Sequence, residues 1–194
     1  MSPLTHILKE YATLESKVRD AIALICLPHC AACRHVCCRP EFCRETLESP
    51  FLSLLLAEFP PAIPFQSERG WLTEIGCALT VGRPPVCYEF LCKKIMGRHP
   101  QGNHLYAVKV LSHLITHVGK NAAGRRHLVE LAGITKLNFT RLRKHLAEAN
   151  SALGAICRFL ASGNIESTSL QILGRILPRP LTNANTPGIS QPWQ

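Results

Sequence analysis

Apolar residues recur at spacings of three and four along residues 4–25, a pattern typical of an amphipathic α-helix. The repeating positions are Leu4, Ile7, Leu8, Tyr11, Leu14, Val18, Ala21, Ile22 and Ile25. This stretch runs directly into Cys26, so the pattern predicts a helix whose C-terminal end delivers the first cysteines. Pro28 and Pro40 follow, and they favour turns rather than one continuous helix.

Residues 50–66 are strongly apolar in their first half and rich in proline in their second half. They predict a short buried helix followed by an extended strip. The strip could serve to dock a partner, but packing in the core is the preferred interpretation.

The second half of the chain has a helical pattern nearly throughout. The predicted helices are 103–118, ended near Gly119; 125–132, stopped by Gly133; 138–161; and 167–177, ended by Pro178. The seam of the 138–161 helix consists of Phe139, Leu142, Leu146, Ala149, Leu153, Ile156 and Leu160. Asn138 suits its N-cap and Gly163 its C-terminal stop. A seam of this kind must be buried, and we expect it to lie against the 103–118 helix and the cysteine-rich segment.

The predicted fold class is therefore mainly α, with almost no strand signal. The predicted parts are an N-terminal amphipathic helix (1–25), a loop-rich cysteine-cluster metal-binding module (26–97), a basic C-terminal helical bundle (98–177) and a flexible tail (178–194). The tail is expected to be flexible because it is rich in polar residues and proline.

Nine of the ten cysteines lie in two short clusters and are the candidate metal ligands. They are Cys26, Cys30, Cys33, Cys37, Cys38 and Cys43 in the first cluster, and Cys77, Cys87 and Cys92 in the second. Gaps of two and three residues allow several thiolates to point at one centre, as a tetrahedral metal site requires. Nine thiols are enough for two four-cysteine sites. Cys157 lies beside Ile156 in the long predicted helix, and we interpret it as a small buried residue.

The clustered thiols could instead form disulfide bonds or be buried free thiols. The redox state of the cellular compartment decides whether metal binding or disulfide bonding is favoured. Charges interrupt the N-terminal segment, so it lacks the apolar core of a secretory signal. No stretch reaches the about 18 apolar residues that a membrane span needs. We therefore expect a cytoplasmic protein with no membrane partner, in which cysteines serve as ligands. Cys37 and Cys38 are adjacent, and a disulfide between neighbours strains the peptide link. The pair is easier to explain if each thiol points to a metal, either the same one or different ones.

The net charge of +9 lies entirely in the second half of the chain. Residues 1–97 carry ten Lys or Arg and ten Asp or Glu, whereas residues 98–194 carry twelve and three. The basic half could bind nucleic acid, form a solvated face, or compensate the negative charge of metal–thiolate centres. Nucleic acid is a possible partner but not the favoured one.

Two motifs in the basic half have alternative interpretations. Residues 125–145 could form a helix-turn-helix, with Gly133 in the turn and a basic second helix. His113 and His117 lie one helical turn apart and could bind a metal, but no Asp or Glu lies nearby to complete a site. A polar helix face is the preferred interpretation of this histidine pair.

The cysteine pattern resembles the YkgJ-type cysteine-cluster family of zinc- or iron-chelating domains. The family has a Cys-x-x-Cys-x-x-Cys-Cys run, matched by Cys30, Cys33, Cys37 and Cys38 with one extra residue before Cys37. A later segment is matched by Cys77-Ala-Leu79, Arg83-Pro84, Cys87, Phe90 and Cys92. The resemblance covers about residues 26–92 and implies metal binding without a defined activity.

Two further features of the first cluster have alternative interpretations. Cys26, Cys30 and Cys33 have the spacing of a radical S-adenosylmethionine cluster motif, but the chain lacks the strands of the barrel that such enzymes need. His29 and His35 could replace a thiolate, although the number of cysteines favours exposed or supporting roles for both.

Together these features predict a metal-binding protein that holds zinc or an iron–sulfur cluster in a structural or accessory role. An iron–sulfur redox or cluster-dependent enzyme is the first alternative, and a metal-containing nucleic-acid-binding regulator is the second. Metal ions are the expected partners, and a protein partner is possible in addition. Arg83 and Pro84 are expected to shape the turn that returns Cys87 toward Cys77, with the arginine donating hydrogen bonds to carbonyls or to sulfur.

Overall fold

The structure is a computed structural model of a mainly helical protein, as the sequence predicts. It describes residues 2–31, 33, 37–74, 76–97 and 102–179. His35 and all but the first two residues of the predicted tail lie outside the described residues. No helix in the described ranges is long and apolar enough to cross a membrane.

The helices and strands follow one another in a simple order. They are α1 (Pro3–Cys30), α2 (Pro40–Glu48), α3 (Pro50–Glu58), β1 (Leu72–Thr73), β2 (Gly76–Cys77), α4 (Val86–Glu89), α5 (Lys93–Met96), α6 (Asn103–Ser112), α7 (Leu114–Gly119), a 3-10 helix (Leu128–Glu130), α8 (Phe139–Ser162) and α9 (Ser167–Ile176). The two strands form an antiparallel hairpin that pairs Leu72 with Cys77 and Thr73 with Gly76.

Helix α1 is longer than predicted and contains both Cys26 and Cys30. The predicted turn at Pro28 is wrong, since the helix continues through this residue. Pro28 lies in the last turn of α1. Because proline has no N–H, the carbonyl of Leu24 loses its usual hydrogen-bond donor. Leu24 is 76% exposed, so water can satisfy this carbonyl and the proline is tolerated.

Helix α8 lies at the centre of the core and confirms the predicted 138–161 helix. The Asn138 side chain caps it by accepting a hydrogen bond from the Arg141 N–H at 2.9 Å, and Gly163 ends it with a φ of +70°. The predicted seam is buried or packed against the core along its whole length. The same hydrophobic core includes residues of α1, α3, α6, α7 and α9.

The expected packing of α8 against the cysteine-rich segment is wrong. Its extensive contacts are with α1, α6, α7 and α9. Helix α1 takes the expected place, since Leu14 and Val18 of its apolar face are completely buried and Ile22 and Ile25 are partly buried against the same core.

The predicted single helix at 103–118 is interrupted at His113. In a continuous helix the His113 N–H would bond to the carbonyl of Lys109, but here it bonds to that of Val110 at 3.0 Å. The Lys109 carbonyl instead accepts a hydrogen bond from the Ser112 hydroxyl and lies 2.9 Å from Nδ1 of His113. Side chains thus compete with the helix backbone and divide it in two.

The predicted helix at 125–132 is also wrong, because only Leu128–Glu130 is helical and it is a single 3-10 turn. His127 and Glu130 form a capping box at the start of this turn, and the backbone becomes extended at Leu131, which ends the turn after three residues. The segment before α8 therefore lacks the first helix of a helix-turn-helix. Arg141, in the predicted recognition helix, donates hydrogen bonds to the carbonyls of Asn121 and Gly124.

Helices α2 and α3 each begin with a proline at the first helical position, where a missing N–H costs nothing. The predicted buried helix after residue 50 is confirmed, since Phe51, Leu52 and Leu55 of α3 are completely buried. These side chains attach the cysteine-rich part of the chain to the common core.

Candidate metal centre

All ten cysteines lie within the described residues, and no disulfide bond is present among them. The nine clustered cysteines come from the end of α1, the segment leading into α2, the hairpin, α4 and the residue before α5. The thiols that influence one another electrostatically fall into two groups.

The first group forms around the C-terminal end of α1. Cys26 and Cys30 lie one turn apart there, and Cys92 directly precedes α5, which packs against α1. Burial, followed by the charges of Cys30, Cys92 and Cys37, raises the pKa of Cys26 to about 11. The pKa of Cys30 is raised by burial and by a set of charges that includes Cys33. These five cysteines form the α1 group.

The second group, the hairpin group, consists of Cys38, Cys43 on α2, Cys77 on β2 and Cys87 on α4. Burial, followed by the charges of Cys43 and Cys77, raises the pKa of Cys87 to about 12. All four side chains line one cavity of about 130 Å³, together with Cys37. Three separate segments of the chain therefore bring thiols to a common space.

The adjacent residues Cys37 and Cys38 differ in the thiols around them. The pKa of Cys38 is raised by burial and then by the charges of Cys77 and Cys43 of the hairpin group, with a smaller effect of Cys37. Cys37 acts on Cys26 and Cys30 of the α1 group, and it also lines the cavity of the hairpin group. Cys37 therefore lies where the two groups meet, whereas Cys38 belongs to the hairpin group.

Three arginines, Arg39, Arg69 and Arg83, line the cavity of the hairpin group. Arg83 donates hydrogen bonds to the carbonyls of Leu79, at 2.8 Å, and Cys77, at 3.3 Å, as expected for this turn. A metal held by four thiolates is formally negative, and these guanidinium groups supply positive charge beside it. Charge compensation is thus available inside the module, without the basic helices.

The cysteine donors fit a thiolate-bound metal, but the distances between their sulfurs decide which kind of metal centre fits without movement of the side chains. Among the described residues, the one group of three or more His, Cys, Asp or Glu side chains with ligand atoms all within 4.8 Å of one another contains no cysteine. Zinc with Zn–S bonds of about 2.3 Å holds its sulfurs about 3.8 Å apart in a tetrahedron. Zinc would therefore draw the thiolates of either group together, whereas a cluster, with several irons between its ligands, accepts wider spacing.

A buried carboxylate on α1 holds the turn between the cysteines of the hairpin group. Glu15 is completely buried, and its Oε2 accepts a hydrogen bond from the Gly82 N–H at 2.8 Å. Its Oε1 accepts hydrogen bonds from the Arg83 N–H at 2.8 Å and the Tyr88 hydroxyl at 2.7 Å. Burial raises the pKa of Glu15, and these hydrogen bonds oppose the rise. The carboxylate thereby fixes the chain from residue 82 to residue 88 on α1.

Gly70 allows Cys43 to reach the hairpin group. Its φ is +63°, and a Cβ atom at this position would lie 2.5 Å from the sulfur of Cys43. No real side chain tolerates this distance, so the thiol must move if the glycine is replaced. The close approach of Gly70 is therefore part of the site.

Replacing Gly70 with alanine is expected to lower the metal content of the protein. Gly124→Ala is the matched control, because Gly124 has a φ of +62° and open space around the added methyl group. Both variants should lose about 1–2 kcal/mol of unfolding free energy through backbone strain. Only Gly70→Ala should also lose bound metal, which elemental analysis measures. Equal metal content in the two variants would contradict a role for Cys43.

Two sequence-based interpretations outside the cysteine clusters need correction. Cys157 is exposed rather than buried, because it lies outside the seam of α8 and faces the surface beside Lys17 and Leu24 of α1. His117 does have an acidic neighbour, since its Nε2 atom lies 2.9 Å from Oε2 of Glu148. The partner is far away in sequence and is brought close by the packing of α7 on α8.

Comparison of the chain with models of protein families, with curated proteins and with solved structures finds no match. The resemblance to the YkgJ-type family therefore stays a prediction from the sequence. The chemical conclusion is independent of it: ten cysteines and a group of two histidines and a glutamate offer donors that could hold a metal.

Proposed function

We propose that residues 26–92 form a metal-binding module that holds zinc or an iron–sulfur cluster on cysteine thiolates. The observation that carries this proposal is the cavity lined by five cysteines from separate segments, with three arginines around it. Thiolates are the preferred protein ligands of zinc and of iron–sulfur clusters, and cationic neighbours stabilise the negative charge of such centres. The resemblance to a family of zinc- or iron-chelating domains supports the same conclusion.

The division of the thiols supports two centres rather than one. The hairpin group supplies four cysteines, and the α1 group supplies five, from which four ligands can be drawn. Bound metal would tie the end of α1 to α5, and α2 to the hairpin and α4. The proposed role is therefore structural or accessory, in a cytoplasmic protein whose reducing surroundings keep the thiols available.

The redox or cluster-dependent enzyme is the alternative, and it requires an iron–sulfur cluster, so the identity of the metal tests it. Protein purified without oxygen should be examined by elemental analysis and by visible absorption. Iron with inorganic sulfide and a broad visible band would favour a cluster, whereas colourless protein containing zinc would favour a purely structural centre.

Serine substitutions test the ligand assignment. Cys87→Ser is expected to remove the metal of the hairpin group and leave that of the α1 group, and Cys92→Ser is expected to do the reverse. Cys157→Ser should leave the metal content unchanged, because Cys157 is exposed on α8 away from both groups in the sequence and in its contacts. Metal per chain is measured for each variant. Full metal content in both Cys87→Ser and Cys92→Ser would overturn the assignment.

A further inference from the structure

A second set of metal-binding side chains lies in the helical half of the chain and contains no cysteine. His117 comes from α7, whereas His145 and Glu148 lie three residues apart on α8. Each offers one ligand atom, and these atoms all lie within 4.8 Å of one another. We propose that His117, His145 and Glu148 form a separate binding site for a divalent transition-metal ion such as zinc.

The two helices explain why the three side chains meet. Residues three apart on a helix project from the same face, so His145 and Glu148 both point from one side of α8. Helix α7 packs against α8 and brings His117 to that side. The break at His113 starts α7 as a separate helix, so that the direction of His117 is independent of α6.

The distances between the three side chains suit coordination of one metal ion. Nε2 of His117 lies 2.9 Å from Oε2 of Glu148, and the rings of His117 and His145 have their centroids 4.7 Å apart. Zinc binds imidazole nitrogen and carboxylate oxygen at about 2.0–2.1 Å, which places tetrahedral ligand atoms about 3.3 Å apart. Small side-chain movements would therefore bring the three donors around one ion.

Burial makes this arrangement unusual for a surface polar cluster. The side chain of His117 is only 9% exposed, and that of Glu148 is 17% exposed. Nδ1 of His145 is buried and has no hydrogen-bond partner among the described residues. A buried nitrogen without a partner is costly, and a metal ion would use its lone pair.

The protonation state of His145 also suits a ligand. Burial, followed by the neighbouring His117, lowers its pKa, although a backbone hydrogen bond at Val118 and the charge of Glu148 oppose the effect. A lowered pKa keeps the imidazole neutral, which is the form that binds metals. Lys144, whose Nζ lies 4.0 Å from Oε1 of Glu148, is 71% exposed and free to turn away into solvent.

The proposed site differs from the cysteine module in its chemistry. Two imidazoles and one carboxylate without sulfur suit zinc, iron(II) or nickel, and three protein ligands leave a coordination position for water. The competing explanation is a hydrogen-bonded pair of His117 and Glu148 with no metal. That explanation gives His145 no role, and it predicts that changing His145 leaves the metal content of the protein unchanged.

Cobalt(II) tests the proposal in the full-length protein. Wild-type protein and the Glu148→Gln and His145→Asn variants are loaded with Co²⁺ under anaerobic, reducing conditions, and bound cobalt is counted after removal of the excess. The wild type should bind one more Co²⁺ per chain than either variant. The difference spectrum should lack sulfur-to-cobalt absorption, so that filling of empty cysteine sites is recognised separately.

His6→Asn serves as the control, because His6 lies on α1, has a side chain that is 54% exposed and does not belong to the group. It should bind as much Co²⁺ as the wild type, whereas each ligand variant should weaken binding by more than the about 10- to 100-fold that loss of a supporting group costs. Circular dichroism and melting without metal establish that the variants fold. Equal cobalt content in wild type and the two folded ligand variants would overturn the proposal, and so would a difference spectrum dominated by thiolate bands.

Discussion

Removing the bound metal under reducing conditions is expected to unfold the cysteine module while the helical core stays intact. Apart from α1, the elements that carry or border the cysteines are short, with nine residues in α2, four each in α4 and α5 and two in each strand. Isolated helices of fewer than about 12–15 residues are marginal in water. Metal binding would therefore supply much of the folding free energy of these elements, since structural zinc can contribute about 10–16 kcal/mol.

The loss of order should follow the boundaries that the packing defines. Helix α3 should keep its protection, because three of its side chains are completely buried in the common core. Residues 37–48, 72–80 and 89–97, and the end of α1 beyond Val18, should exchange their amide hydrogens faster. Residues 81–88 should stay protected, because Val81 and Tyr88 belong to the common core and Glu15 binds this turn. Helices α6 to α9 should change little, since they pack through the common hydrophobic core and carry none of the clustered cysteines.

Hydrogen exchange measured by mass spectrometry, before and after chelation, tests this expectation. A protein carrying both Cys87→Ser and Cys92→Ser is the control, because chelation should have no further effect once both groups have lost a ligand. If complete removal of metal left hydrogen exchange, proteolysis and melting unchanged, the metal would have no structural role.

The helices that the sequence predicts correctly are those with local signals at both ends. Helix α8 has a capping asparagine, a regular seam and a glycine stop, and all of these act within a few residues of one another. The break at His113 depends on side chains that compete for a backbone carbonyl, whereas the turn at Leu128–Glu130 ends where the backbone becomes extended at Leu131. Hydrophobic spacing reports neither feature, so the pattern predicts a regular helix in both places.

The candidate site shows the same division between local and long-range information. Cysteine spacing locates the thiols but does not show which of them meet, because Cys77 and Cys38 are brought together by the fold. His145 and Glu148 have the spacing of a helix-borne pair of ligands, a signal that was available and missed. Their partner His117 is 28 or more residues away and could not be assigned from the pattern alone.

Glu15 has a structural role that the sequence pattern does not predict. It lies on the buried face of α1, whereas its hydrogen-bond partners are 67 to 73 residues later. A polar residue among apolar ones gives no indication of such a distant partner. In the structure, its burial and its three donors identify it as the connection between the core and the turn that carries the hairpin group.

Replacing Glu15 with glutamine is expected to destabilise the protein and to release metal from the hairpin group first. The amide would have to place its NH₂ group against a buried backbone N–H, of Gly82 in one orientation and of Arg83 in the other. Leaving a buried donor without an acceptor costs about 1–3 kcal/mol, and Glu15→Ala, which removes the acceptor for all three donors, should cost more. Denaturant unfolding and metal analysis measure the two effects.

Glu10→Gln is the matched control for this substitution, because Glu10 lies on the same helix and is 42% exposed, with His6 as its partner at 3.3 Å. An exposed pair of this kind contributes little, so the control should keep both its unfolding free energy and its metal. In Glu15→Gln the metal of the α1 group should be retained longer, since Cys26 and Cys30 lie on α1 itself and do not depend on the turn at residues 82–88. Simultaneous loss from both groups would indicate that α1 as a whole had shifted, and unchanged stability and metal content would show that the carboxylate does not hold the turn.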